Sequence, residues 1–155
     1  MSKVAIIILA DTAGPGDFGR AVNGLMTAKE FKDANDEVII IFDGAGTKWI
    51  SKFTEEGGKY NDLFDSVKDK VAGVCGYCAG AFGVTKDAEA CSVDQLNEYN
   101  GHPSFKKLVD EGFSAFKTDD FKDPDIVPPY FTNNIKGIVL SGGPSSVYDK
   151  ESPKF

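Results

Sequence analysis

Val4-Ala5-Ile6-Ile7-Ile8-Leu9, six apolar residues in a row near the start of the chain, is the stretch that decides the fold class. A strand with one wet face alternates apolar and polar side chains. An unbroken run is expected of a strand buried on both faces, at the centre of a parallel sheet. A turn-rich loop follows at residues 11–17 (DTAGPGD). Beyond it Phe18, Val22, Leu25, Met26 and Ala28 recur at helical spacing, with Asp17 placed to cap the helix. Asn35-Asp36 breaks that pattern, and residues 38–42 (VIIIF) repeat the buried-strand signature.

The same alternation continues. Residues 48–53 and 61–70 read as helices separated by Gly57-Gly58, and residues 71–75 as a third strand. Short helical segments are expected at 79–82 and 86–91. A helix at 103–111 has Pro at its first position and Gly112 just past its end, followed by a strand at 113–117. Alternating strands and helices imply an open parallel sheet covered by helices with right-handed crossovers. The expected fold is α/β, a flavodoxin-like three-layer sandwich with a mostly parallel sheet, over residues 1–118. Residues 119–155 read as a C-terminal extension: a proline-rich connection at 122–130 (KDPDIVPPY), then one additional strand at 135–140.

With 155 residues the chain has the length of one ordinary domain. Its 17 basic and 24 acidic residues give a net charge of −7, which argues against nucleic acid and anionic membrane as partners. No apolar run approaches the roughly 20 residues that span a bilayer. The first strand begins almost at Met1, without a leader pattern, and the cysteine count is odd at three. Both features suggest free thiols in the cytoplasm.

The chemistry concentrates in residues 73–83, GVCGYCAGAFG. Cys75 falls at the carboxyl end of a strand, where open α/β sheets place their working loops, and Cys78 near the start of the next helix. A helix N-terminus lowers thiol pKa, so a reactive thiolate is expected. Several readings compete. Both cysteines can be inert packing residues of a binding or scaffold protein. Cys75 and Cys78, completed by Cys91 and His102, can be a zinc site. The Cys-x-x-Cys spacing also suits a redox dithiol. Finally, Gly76-Tyr77-Cys78-Ala79-Gly80 matches G-x-C-x-G, which would make Cys78 an acyl-transfer nucleophile. That last reading needs His102, the one histidine, as base, and Gly142-Gly143 as oxyanion donors. The plainer reading of His102 is a Gly-His-Pro turn before a helix. Lys48 and Trp49, in a glycine-rich loop at the end of the second strand, and Tyr77, between the cysteines, are candidates for lining the cysteine pocket or a subunit contact, with Trp49 as a core residue the alternative. The loop at 11–17 carries too much negative charge for phosphate and reads as a tight turn.

Four stretches, KVAIIILADTAGPGDFGR, IIIFDGAGTKWI, VAGVCGYCAGAFGV and YNGHPSFKKLVDEGF, give residues 3–117 a resemblance to the DsrE/DsrF-like family, with its TusD-like sulfur-relay members. The resemblance implies a flavodoxin-like fold and assembly into trimers or hexamers. It also implies sulfur carried as a persulfide on Cys75, exchanged with donor and acceptor proteins, without metal or cofactor. Cys78 is not at the relay position and adds a second thiol able to resolve a persulfide into a disulfide. Residues 135–153 (IKGIVLSGGPSSVYDKESP) resemble part of the glutamine amidotransferase domain of GMP synthase. There the catalytic cysteine follows this loop, whereas here the cysteines precede it, so glutaminase chemistry in that family's manner is not expected.

Overall fold

The computed structural model describes residues 1–116. Five strands, β1 (Lys3–Ile8), β2 (Glu37–Phe42), β3 (Val71–Cys75), β4 (Gln95–Leu96) and β5 (Ser114–Phe116), form one sheet in the order β4-β3-β2-β1-β5. Every pairing is parallel. The helices are α1 (Pro15–Asp33), α2 (Trp49–Thr54), α3 (Asn61–Val67), α4 (Gly76–Ala81), α5 (Thr85–Ala90) and α6 (Phe105–Asp110). The three-layer α/β architecture expected from the sequence is present. Because β1 to β4 step across the sheet in one direction, right-handed crossovers put α1 to α5 on one face. The return from β4 to β5, beyond β1, puts α6 on the other. Contacts of α1 with α3, and of α2 with α3 and α5, agree with that placement.

The apolar run of β1 is central as expected, with Val4 to Ile8 wholly removed from water. Leu25 and Ala28 of α1 pack on it, whereas Met26 faces solvent and the small residues Ala21 and Gly24 take its expected place in the stripe. Small side chains let the helix lie close to the sheet. Asp17 does not cap α1; Gly14 is the cap, Pro15 opens the helix, and Asp17 sits in the first turn. Likewise Pro103 lies outside α6, whose N-cap is Ser104, accepting a bond from the Lys107 N–H at 3.2 Å. The expected strand at 135–140 and the extension as a whole lie outside the described residues. Among the described residues no helix is long and apolar enough to cross a membrane.

Candidate functional site

The sheet register assembles the site. Phe42 of β2 pairs with Val74 of β3, and Cys75 pairs with Leu96 of β4. The residue after Phe42, Asp43, therefore lies beside Cys75 at the carboxyl ends of adjacent strands. Cys75 ends β3 and is also the N-cap of α4, which starts at once with Gly76. A Cβ on Gly76 would come within 2.0 Å of Asn97 Oδ1, so glycine allows the chain leaving β4 to pass against α4.

That passing chain brings in His102. Tyr99 and His102 exchange two backbone hydrogen bonds of 2.9 Å across Asn100-Gly101, whose φ angles are 51° and 84°. Two central residues with positive φ make the tight Asn-Gly turn favoured in hairpins. The turn docks on α4, where the Tyr77 N–H, without an acceptor inside its own helix, donates to Gly101 O at 2.7 Å. His102 Nδ1 then lies 3.2 Å from Cys75 Sγ. The Tyr77 ring covers the imidazole, centroids 4.8 Å apart, and is itself exposed.

Cys78, half-buried in the first turn of α4, faces the other way: its thiol donates to Asp43 Oδ1 at 3.4 Å, while its N–H reaches Cys75 Sγ at 3.4 Å. The same Asp43 oxygen accepts the Gly44 N–H at 2.7 Å. Asp43, Cys75, Cys78 and His102 thus present their ligand atoms within 4.8 Å of one another.

The electrostatics reverse the expectation of a depressed thiol pKa. Cys75 is wholly buried, and desolvation pushes its thiol well above the ordinary value; the Cys78 N–H opposes this more weakly, and the Asp43 carboxylate adds to it. Cys78 is raised as well, by burial first and by Asp43, with partial relief from the Cys75 thiol and the Gly44 N–H. At rest both cysteines are thiols. The Cys75 S–H has two acceptors in reach, Gly101 O at 3.9 Å and, in the tautomer with the ring proton on Nε2, His102 Nδ1.

Of the other candidates, Cys91 is not in the cluster; its sulfur lies 3.2 Å from Thr54 Oγ1, behind α2. Trp49 belongs to the core and, with Phe18, Phe53 and Tyr60, lines a cavity that no cysteine reaches. It is buried, its indole N–H donates to Ala10 O at 2.8 Å, and it stacks on Phe53. Lys48 ion-pairs with Asp11 and lies 5.2 Å over the Phe82 ring at the end of α4, at the rim of the site. Gly142-Gly143 lie outside the described residues. Asp43 was absent from the sequence-derived candidates, although a carboxylate directly after a buried strand next to β3 was the available signal. Asn100-Gly101 signals a tight turn, but its docking on α4, which sets His102 on Cys75, had no signal in the sequence.

The model of the DsrE/DsrF-like family matches residues 5–117 of the chain. The chain belongs to the DsrE/DsrF-like family. Over 89 residues it is 34% identical to an uncharacterized protein of Methanocaldococcus jannaschii, covering 57% of this chain and 72% of that relative. No solved structure matches it significantly. In this DsrE/DsrF-like chain the family match ends before residues 135–153; the resemblance to GMP synthase expected there is not shown by these matches, and the segment lies outside the described residues.

Proposed function

We propose that this DsrE/DsrF-like protein takes up sulfane sulfur as a persulfide on Cys75, with Cys78 as the second thiol. The observation that carries the reading is the 3.2 Å contact of Cys75 Sγ with His102 Nδ1, beside a second cysteine whose backbone N–H reaches the same sulfur at 3.4 Å. Family membership supports a role of the sulfur-relay type.

A buried thiol with a raised pKa needs a base, and His102 is in position to take its proton as the sulfur is attacked. The Cys75 thiolate attacks the outer sulfur of a donor persulfide R–S–SH, the donor's S–S bond breaks, and the donor leaves as the thiolate R–S⁻, which collects a proton. Cys75 then carries the S–SH group. Attack of Cys78 on Cys75 Sγ releases the outer sulfur as hydrosulfide and leaves a Cys75–Cys78 disulfide; the two cysteines lose the two electrons that the sulfane sulfur gains. Because Cys75 is wholly buried, uptake requires a local opening that exposes its sulfur and leaves His102 beside it. Assembly as a trimer or hexamer in the cytoplasm, with protein donors and acceptors, belongs to the same reading.

The rival reading is a binding or scaffold protein with inert cysteines, and the full burial of Cys75 favours it. Intact mass after incubation with a small-molecule persulfide donor separates the two. The sulfur-handling reading expects a gain of roughly one sulfur atom, about 32 Da, in the wild type and its loss in Cys75→Ser. No adduct in either protein, together with no reaction of the folded thiols with a small alkylating reagent, supports the scaffold.

A further inference from the structure

The four groups that meet at the strand ends have a composition the sulfur reading does not require. They are two thiols, an imidazole nitrogen and a carboxylate oxygen, from Cys75, Cys78, His102 and Asp43, all within 4.8 Å. We propose that they form a four-coordinate site for a zinc-type divalent cation. This goes beyond sulfur uptake and holds whether or not the thiols carry sulfur.

Geometry carries the argument. A tetrahedral ion with metal–sulfur bonds of about 2.3 Å and metal–nitrogen or –oxygen bonds of about 2.0–2.1 Å holds its ligand atoms roughly 3.4–3.8 Å apart. Here Cys75 Sγ and His102 Nδ1 are separated by 3.2 Å, and Cys78 Sγ and Asp43 Oδ1 by 3.4 Å. These two pairs need to open by a few tenths of an ångström, while the widest separation in the group, 4.8 Å at most, closes by up to about 1 Å around an ion. The ligands hang from rigid places: Asp43 and Cys75 at the ends of adjacent paired strands, Cys78 one helical turn on, and His102 on a turn fastened to α4. Cys75 and Cys78 also have the two-residue spacing of a metal knuckle.

Charge points the same way. Asp43 is only 7% exposed, and among the described residues no lysine or arginine forms an ion pair with it. A divalent cation would supply the counter-charge that this buried carboxylate lacks. A mixed sulfur, nitrogen and oxygen set suits zinc and its neighbours rather than calcium or magnesium, which take oxygen ligands. The cation and sulfane sulfur compete for the same thiolates, so the metal-loaded form is closed to sulfur.

The test uses the full chain, reduced and stripped of metal, with no sulfur donor present. Zinc is titrated against a chromophoric chelator, and cobalt(II) is added separately as a spectroscopic probe. One equivalent of zinc is expected to bind per chain. Cobalt is expected to give thiolate charge-transfer bands and the intense visible bands of a tetrahedral ion. Asp43→Asn, which keeps the Gly44 contact, and His102→Ala are each expected to weaken zinc binding at least about tenfold, whereas Cys91→Ser leaves it unchanged. Absent cobalt–thiolate bands in the wild type, or wild-type affinity in both variants, would overturn the site. Neither outcome bears on sulfur loading, which is read by mass in metal-free protein.

Discussion

At Cys75 two effects oppose each other: removal of the sulfur from water penalises the thiolate, and the Cys78 N–H stabilises it. The first is larger, so the folded thiol titrates above its unfolded value of about 9.0. Below that value both states hold the proton and the full contribution to stability is present. As pH rises past it the unfolded chain loses its proton first, and stability falls towards the folded pKa. The urea midpoint should accordingly drop more steeply between pH 9 and about pH 10.5 in the wild type than in Cys75→Ala. An equal slope in both would remove the burial argument. Alkylation at neutral pH should label half-buried Cys78 before Cys75, as peptide mass after short exposures would show. His102, as proton acceptor, should matter kinetically. His102→Ala is expected to slow sulfur loading by about 100-fold, the lower end of what general bases contribute, while an unchanged rate would leave the 3.2 Å contact without a catalytic role.

Among the elements, the β3–β4 edge positions His102, and one glycine allows that edge to close. Gly73 has φ of +156°, and a Cβ there would stand 2.6 Å from Asp94 O and 2.8 Å from Leu96 Cγ. Backbone cannot yield cheaply, so Gly73→Ala should cost about 1–3 kcal/mol, read from the denaturant midpoint. It should also slow sulfur loading through displacement of the turn that follows β4. The strands and helices up to β3 were legible because buried runs and helical spacing are strong signals there. The two residues of β4, by contrast, are too few to show any period, and they form a strand because β3 offers its edge. Met26 and Trp49 illustrate the other limit. Spacing alone placed Met26 in a stripe that small residues fill, and a tryptophan after a glycine-rich loop reads as pocket lining, subunit contact or core until its indole finds Ala10 O. The cysteines were legible as a strand-end pair; their partners Asp43 and His102 come from positions 32 residues before and 27 residues after Cys75, which only the sheet register brings together.

On the scale of the whole molecule, three adjacent strands deliver Asp43, Cys75 and His102 to one end of the sheet, with α4 adding Cys78. This is the end where open α/β sheets place their chemistry. Light scattering on the full chain should give a trimer or hexamer mass, and a monomer would count against that part of the reading. The central claim, that sulfur is handled at Cys75, is tested most directly by locating the added sulfur. Cleavage after Lys70 and Lys86 isolates residues 71–86, which contain Cys75 and Cys78 but not Cys91. After loading with a persulfide donor and alkylation, fragmentation of this peptide should place the extra sulfur, about 32 Da, on Cys75, and Cys75→Ser should yield an unmodified peptide. Sulfur found on Cys91 instead, or retained in full by Cys75→Ser, would contradict the account.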